Sequence, residues 1–355
     1  MIKSFDEVFE DVTKLGVKIK TDEYHPIGKY QIIDQGQEAV AGYSDLEDGV
    51  FENVPAIVFG DHTRIVKYVD QPFFLGADGV KVLRSRFKDA NYRYLYYALK
   101  SVKIPNTGYN RHFKWLKEAK IYYPNSEEQS KIVLILDEIS SVIEHRQRQL
   151  QKLDELVKAR FIELFGDMFL NSKAWKKQAL DSLADVVSGI TKGRKTKEPQ
   201  LIEVPYMAVS NVKDGYIDWT TVKTIQATQQ EIEQYRLLPD DVLMTEGGDP
   251  DKLGRGAILK EPLQNCIHQN HIFRVRLNES LILPAFFEEY LKHQKAKRYF
   301  PGCAKQTTGI ASINMRQLKA LPVLLPPLEL QEQFAAFVEQ TDKSKVAVQT
   351  ALRKK

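Results

Sequence analysis

Apolar side chains recur at a helical spacing along one long stretch in the middle of the chain. From Ile132 to Leu164, apolar or long-stemmed residues alternate spacings of four and three, a 3.5-residue period kept over more than four heptads. Pro124 cannot lie inside a helix and Gly166 favours a helix end, so both limits are marked. The pattern predicts a helix over 127–166, and the stretch from Glu127 to Leu164, about 38 residues at ~1.5 Å each, gives a rod of roughly 57 Å.

The end of the chain repeats this period more weakly. Over 329–355 the matching positions include Thr341 and Lys345, where the first segment has isoleucine. The sequence stops at Lys355 without a capping residue. Either this second helix is shorter than the first or the chain ends inside it, and we expect the latter.

The period also bears on how the two helices pack. A 3.5-residue repeat is narrower than the face that a helix buries on a globular core, so it favours a two-helix coiled coil over a helix lying across its own domain. Arg146 and Arg160 occupy seam positions, where they either pair with glutamates of the second helix or point outward. The predicted seam residues are Ile132, Leu136, Ile139, Ile143, Leu150, Leu153, Val157, Phe334, Val338 and Val348.

The segments that lead into the two helices repeat each other. Residues 116–132 and 318–334 align without a gap at an offset of 202. Upstream, each half also has an apolar strand running into a Gly/Asp turn and, later, a Thr-Gly step. The order of strand-rich domain, proline-terminated strand and long helix therefore occurs twice, which indicates a duplication. The identical pairs are Leu116/Leu318, Lys117/Lys319, Pro124/Pro326, Glu127/Glu329 and Gln129/Gln331.

Composition narrows the class of protein. The 355 residues are 43% hydrophobic and 28% charged, which excludes disordered and low-complexity chains. Two cysteines, Cys266 and Cys303, are too few for a disulfide scaffold. No apolar run reaches the length of a membrane span, and no hydrophobic signal core follows the N-terminal lysine, so we expect a cytoplasmic protein with no membrane partner. A net charge of +4 permits nucleic-acid binding without requiring it.

Enzyme signatures are missing from the sequence. It has no phosphate-binding P-loop, no dinucleotide-binding glycine motif and no nucleophile elbow. His268 and His271 lie near Cys266, but a zinc site needs about four ligands and nothing supplies the rest. The acidic run 246–251 contains Gly-Gly and Asp-Pro, which favour a turn over a metal site. We therefore predict no catalytic residues, no metal and no cofactor bound by this chain.

Signals for binding are stronger. Four basic side chains in 192–197 suit phosphate contact, although a solvated loop fits equally well. The loops 107–114 and 305–309 carry Arg, Asn and Gln, which can form paired hydrogen bonds with base edges, and they occupy equivalent places in the two halves. The tyrosine-rich segment 92–99 could stack bases, but its counterpart 286–291 reads as an amphipathic helix, so core packing is favoured.

Two copies of a globular domain, each ending in a Pro-x-x-Glu-x-Gln step into a long helix, resemble the specificity subunit of type I restriction–modification enzymes. The resemblance covers essentially the whole chain and rests on the junctions at 124–129 and 326–331, the Thr-Gly steps and the duplicated order. It implies an α+β chain with target-recognition domains at 1–126 and 167–328. The helices 127–166 and 329–355 would then pack as an antiparallel coiled coil that spaces the domains.

In such subunits each recognition domain reads one half of a split double-stranded DNA target. Methyltransferase subunits dock on the helices and methylate adenine N6 with S-adenosylmethionine, and restriction subunits add ATP- and Mg²⁺-dependent cleavage. The resemblance thus implies a recognition subunit with no catalytic residues of its own, consistent with the missing Asn/Asp-Pro-Pro-Tyr/Phe motif. The domains diverge outside the shared frame, so the target should be asymmetric. The alternative is a stand-alone DNA-binding regulator or coiled-coil adaptor without a methyltransferase partner.

Loop position and side-chain chemistry, rather than the resemblance, give the candidate DNA contacts. They are His62, Arg64, Thr107, Tyr109, Asn110, Arg111 and Lys114 in the first domain, and Lys192, Arg194, Lys195, Ser210, Asn211, Lys252, Arg255, Gln306 and Thr307 in the second.

Overall fold

A computed structural model describes residues 1–76, 78–195, 200–248, 253–307 and 310–353, with the backbone alone at 294–297, 305–307, 310 and 353. Contacts divide the chain into two compact units, Met1–His145 and Arg146–Lys355. The division falls inside the long central helix, so each unit contains about half of that helix.

The first unit has three sheets, with strand orders β2-β8-β5-β6, β4-β3-β7 and β1-β9. Its elements are β1 (Ile2–Ser4), α1 (Phe5–Val8), β2 (Phe9–Asp11), β3 (Tyr30–Ile33), β4 (Gly42–Ser44), β5 (Ala56–Gly60), β6 (Val66–Val69), β7 (Phe73–Leu75), β8 (Val80–Ser85), α2 (Tyr92–Lys100), α3 (Phe113–Lys117), β9 (Lys120–Tyr122) and the start of α4 (Ser126–Phe165).

The central strand β5 shows how this unit builds two hydrophobic cores. Every residue of β5 is buried, since alternate side chains point to opposite faces of the sheet. Ile57 and Phe59 join the core beneath α2. Ala56 and Val58 join the core shared with β3 and β7. The unit is therefore layered, with this sheet between a helix and a smaller sheet.

The second unit has sheets with the orders β11-β18-β14-β16, β13-β12-β17, β10-β21 and β15-β20-β19. Its elements, after the end of α4, are β10 (Lys176–Ala179), β11 (Ala184–Ser188), β12 (Ile202–Met207), β13 (Lys223–Ala227), α5 (Gln229–Tyr235), β14 (Asp241–Thr245), β15 (Gly247–Gly248), β16 (Gly256–Leu259), β17 (Ile267–His268), β18 (Ile272–Leu277), α6 (Pro284–Lys292), α7 (Gln294–Cys303), β19 (Lys305–Thr307), β20 (Ile310–Ser312), α8 (Met315–Lys319), β21 (Pro322–Leu325) and α9 (Leu328–Arg353).

The two units repeat one topology. The four-stranded order β2-β8-β5-β6 corresponds strand for strand to β11-β18-β14-β16, and β4-β3-β7 corresponds to β13-β12-β17. Even the single parallel pairing of each smaller sheet, β3 with β7 and β12 with β17, is kept. The predicted duplication and the mixed α/β class are thus confirmed, whereas the sheet β15-β20-β19 belongs to the second unit.

The long helices follow the sequence pattern closely. α4 starts and ends one residue before the predicted limits, with the Asn125 side chain accepting a hydrogen bond from the Glu128 amide at 2.9 Å. At its end Gly166 adopts φ +75°, and its amide donates to the Ile162 carbonyl at 2.7 Å. α9 ends at Arg353, the last described residue.

The exposed fraction of the side chains varies along the two long helices. Of the ten seam residues, Val157 and Phe334 are buried, and all others except Ile139 are partly buried. Within the second unit, Asp154 pairs with Lys345 at 2.7 Å. Further along α4, the Phe161 ring lies 5.3 Å from the ring of Phe334. Later residues of α4 contact earlier residues of α9, so these two segments are antiparallel. They also lie on the core of the second unit, which is the alternative arrangement that the sequence left open.

In the first unit α4 is held by the tyrosine-rich helix α2. The Arg93 guanidinium lies 5.2–5.5 Å from the rings of Tyr68, Tyr96 and Tyr97, and its Nε lies 2.8 Å from Asp137 of α4. The Tyr97 hydroxyl donates to the same carboxylate. The aromatic residues of α2 thus serve packing, as predicted.

The shared junction has a physical explanation in the repeated glutamine. The Gln129 side chain is buried and its Nε2 donates to the Pro124 carbonyl at 2.9 Å. Gln331 makes the same bond to Pro326 at 2.9 Å, donates to Leu281 at 3.2 Å and accepts from the Leu283 amide at 2.9 Å. In both halves, therefore, a glutamine in the first turn of the helix pairs with the backbone carbonyl of the proline two residues before the helix.

We expect Gln331→Ala to destabilise the second unit by about 2–4 kcal/mol, because it leaves three backbone groups in a buried site without a hydrogen-bond partner. The matched variant Gln129→Ala leaves one such group without a partner and should lower the free energy of unfolding by about 1 kcal/mol. Urea unfolding of the two variants measures the difference. Equal losses would contradict the assignment of the additional bonds to Gln331.

Candidate nucleic-acid interface

Two loops of the first unit that the sequence singled out come together. The turn between β5 and β6 carries His62, and the loop between α2 and α3 carries Tyr109. Their rings stack at 4.6 Å between centroids with an angle of 6°, and His62 Nδ1 lies 3.2 Å from the Asn110 carbonyl oxygen. The Tyr109 side chain remains 87% exposed. An aromatic platform with polar neighbours thus faces solvent, which suits stacking and hydrogen bonding with a nucleic acid.

Buried groups hold these loops in place. The Asp61 carboxylate accepts from the Phe113 amide at 2.7 Å, and its carbonyl accepts from the His112 amide at 2.8 Å. His112 is buried, and its Nε2 lies 3.4 Å from the Thr107 hydroxyl. Asp61 and His112 were not predicted as supports from the sequence, where the strand that runs into Asp61 was the available signal. The exposed loop is therefore shaped before any ligand arrives.

The other first-domain candidates divide into two groups. Thr107, Asn110, Arg111 and Lys114 are exposed, and the Asn110 amide also donates to the Thr107 carbonyl. A hydrogen bond from Lys18 and, more weakly, the charge of Arg111 lower the pKa of Asp78, so positive groups surround that carboxylate. The Arg64 side chain is partly buried and donates a hydrogen bond to the Ile104 carbonyl at 3.4 Å.

Two second-domain candidates serve the fold instead. Asn211 is 1% exposed, and its amide bonds to Ala208, Asp218 and Thr221 at 2.8–2.9 Å. Arg194 forms a paired hydrogen bond with Glu231 and donates to the Gln226 carbonyl at 3.0 Å. The hydrogen bonds that Arg194 donates to the Glu231 carboxylate raise the pKa of the guanidinium above its usual value. Because Asn211 is buried and the Arg194 guanidinium is paired with a carboxylate, we leave both residues out of the proposed interface.

The remaining second-domain candidates are more accessible or only partly described. Lys192, Lys195 and Ser210 are exposed, and Arg255 is partly buried beside Gly248. Lys252 lies outside the described residues. Gln306 and Thr307 belong to β19, which pairs with β20 and, through it, with β15. At the rim of this sheet, an exposed His271 Nδ1 lies 2.5 Å from Glu246 Oε2, a pair that the sequence analysis did not predict.

Two of the residues considered for chemistry, Cys266 and His268, are buried. Burial raises the pKa of the Cys266 thiol to about 12 and lowers the pKa of His268 to about 3. In the described part of the chain, no group of three or more His, Cys, Asp or Glu side chains is placed to hold a metal ion. Likewise, none of the described helices is long and apolar enough to cross a membrane.

Several known proteins are similar to this chain, in structure or in sequence. The crystal structure of the type I restriction–modification S subunit from M. genitalium aligns with 99% of this chain and 91% of its own, with a TM-score of 0.57 and 18% identity, and so shares the fold. The EcoR124I/EcoR124II specificity subunit of Escherichia coli is 22% identical over 363 residues, covering 94% of this chain and 84% of that protein. The putative MjaX specificity subunit of Methanocaldococcus jannaschii is 29% identical over 169 residues, covering 47% of this chain and only 39% of that protein.

A family model reaches both units. The model described as "Type I restriction modification DNA specificity domain" matches residues 1–155 and again residues 172–355. The two matches coincide with the two copies of the repeated topology. This chain therefore belongs to the family of type I restriction–modification DNA specificity domains.

Proposed function

We propose that this chain is the DNA-recognition subunit of a type I restriction–modification enzyme in the cytoplasm of a prokaryote, and that each unit reads one half of a bipartite target. The observation that carries the proposal is one topology repeated in both units with different exposed side chains on the loops. A shared frame presents two readers in the same way, while unlike loops read unlike sequences. The target is then asymmetric.

The chemistry of the loops supports direct contact with bases and phosphates. In the first unit, Asn110 and Arg111 are exposed beside the stacked pair of His62 and Tyr109. Asparagine suits adenine and arginine suits guanine in the major groove. In the second unit, the exposed Lys192 and Lys195 suit phosphates.

The helices supply the spacer in this proposal. Antiparallel contacts between the second half of α4 and α9 support a two-helix coiled coil that sets the gap between half-sites, about one DNA turn or ~34 Å. Methyltransferase subunits dock on the helices, and restriction subunits join them. S-adenosylmethionine, ATP and Mg²⁺ belong to those partners, and this chain binds none of them and contributes no catalytic residue.

The test is partner dependence. We expect the chain to co-purify with the methyltransferase subunit of its own system and to direct that complex to one split DNA sequence. Specific DNA binding by the chain alone, with no co-purification, would instead identify a stand-alone regulator and contradict the proposal.

Two substitutions separate base reading from phosphate contact. Asn110→Ala should cost about 1–3 kcal/mol of binding free energy on the specific target and relax one position of the first half-site. Lys195→Gln should weaken all sequences alike and lower the salt slope of binding by about one. Fluorescence anisotropy with the methyltransferase complex, on target and scrambled duplexes, measures both effects. Unchanged binding in both variants would refute these assignments.

A further inference from the structure

A basic cavity lies beside the loop of the first unit that carries Tyr109 and Asn110, here called the reading loop. It has a volume of about 530 Å³ and opens between the start of β6 and the segment that leaves α2. Three of the side chains that line it are cationic: Arg64, Lys100 and Lys103. The others are aliphatic, so no carboxylate belongs to the described lining. Such a lining favours an anion that carries apolar surface.

The charges of this cavity are not consumed by acidic partners in the described structure. Arg64 Nη1 donates to the Ile104 carbonyl at 3.4 Å, and the guanidinium has further N–H donors that can bind an anion. The Lys100 ammonium lies 5.2 Å from the Tyr96 ring, and both lysines are exposed. The C-terminal dipole of α2 contributes about half a negative charge, far less than three full positive charges.

The chain connects the cavity directly to the reading loop. Ile104 lines the cavity, and three residues later Thr107 begins the loop that carries Tyr109 and Asn110. On the other side, Arg64 lies two residues from His62, whose ring stacks on Tyr109. A duplex strand that places a base edge at Asn110 therefore brings its backbone close to the cavity.

We propose that this cavity is a phosphate clamp, which binds one sugar-phosphate unit of the DNA strand next to the first half-site. The phosphate contacts Arg64, Lys100 and Lys103, while the deoxyribose packs on aliphatic residues such as Val66 and Val102. Contacts of this kind fix the register of a protein on the duplex without reading sequence. The inference rests on the proposed function, because it assigns Lys100 and Lys103 a positioning role in the same DNA complex.

The test removes the two lysines from the complete methyltransferase complex. Lys100→Gln with Lys103→Gln should weaken binding to target and scrambled duplexes about equally, roughly tenfold at low salt, and reduce the salt slope by about one to two. The methylated sequence should stay the same. Lys88→Gln with Lys120→Gln is the matched control, because both lysines are exposed and this pair of changes removes the same charge near the other end of α2. The control should keep the wild-type slope.

The outcomes separate the clamp from the proposed function. An unchanged slope in the Lys100/Lys103 variant, with normal binding by the wild-type complex, would overturn the clamp alone. Loss of affinity for the target duplex only, or loss of the methyltransferase subunit from the complex, would also overturn it, since the lysines would then read bases or bind a partner protein. A wild-type complex that binds no DNA would overturn the proposed function itself.

Discussion

Phe334→Ala should lower the free energy of unfolding of the second unit by about 3–5 kcal/mol. Phe334 is fully buried at the start of α9, with the rings of Phe161 and Phe165 at 5.3 and 5.6 Å. Removing the ring leaves a cavity at the junction of α4, α9 and the core of the second unit. Urea unfolding followed by fluorescence measures the loss, and the transition of the first unit should not move.

Val346→Ala is the matched control on the same helix. The Val346 side chain is 60% exposed, so its truncation should change stability by less than about 0.5 kcal/mol. A loss below about 1 kcal/mol for Phe334→Ala would show that the ring is not enclosed and would contradict the packing of α9 against α4.

His268→Leu should remove a large acid sensitivity from the second unit. His268 is fully buried in β17, and neither of its ring nitrogens has a hydrogen-bond partner among the described residues. Burial, with a smaller effect from the charge of Arg274, lowers its pKa to about 3 from 6.5. Between those values the unfolded chain binds a proton that the folded chain does not, so stability falls as the pH falls.

The expected contribution is a loss of about 2 kcal/mol between pH 6.5 and pH 5, where the slope approaches ~1.4 kcal/mol per pH unit, with almost no dependence above about pH 7.5. Urea unfolding of wild type and variant across this range isolates it, because other groups titrate equally in both. His25→Leu, at an exposed site, should retain the wild-type dependence. If the wild-type and His268→Leu curves run parallel, His268 is protonated or solvated in the folded state.

The features that were predictable from sequence are those encoded locally. The period of 132–164, the proline before the helix and Gly166 after it are adjacent in sequence, and α4 ends within one residue of the predicted limit. The duplication was visible because both copies need the same junction residues. Gln129 and Gln331 stood out as identities, although their hydrogen bonds to proline carbonyls became evident only in the fold.

The candidate site was less predictable, because the partners of polar side chains come from distant segments. Arg194 and Asn211 have the same chemistry as DNA-contacting residues. However, Glu231, 37 positions from Arg194 in the sequence, accepts hydrogen bonds from its guanidinium in the fold. Conversely, nothing near Lys100 in the sequence indicated a cavity shared with Arg64. Lys100 ends α2, whereas Arg64 lies in the turn between β5 and β6. Loop position gave the neighbourhood of the site, and long-range pairing decided which donors remain available.

We propose that this chain directs methylation to one split DNA sequence. The most direct measurement is to co-express it with the methyltransferase subunit of its system and map N6-methyladenine across the host DNA. We expect a single motif with two unlike specified halves separated by a fixed number of unspecified base pairs. Methylation at a continuous or palindromic motif, or none when both proteins are produced, would contradict it.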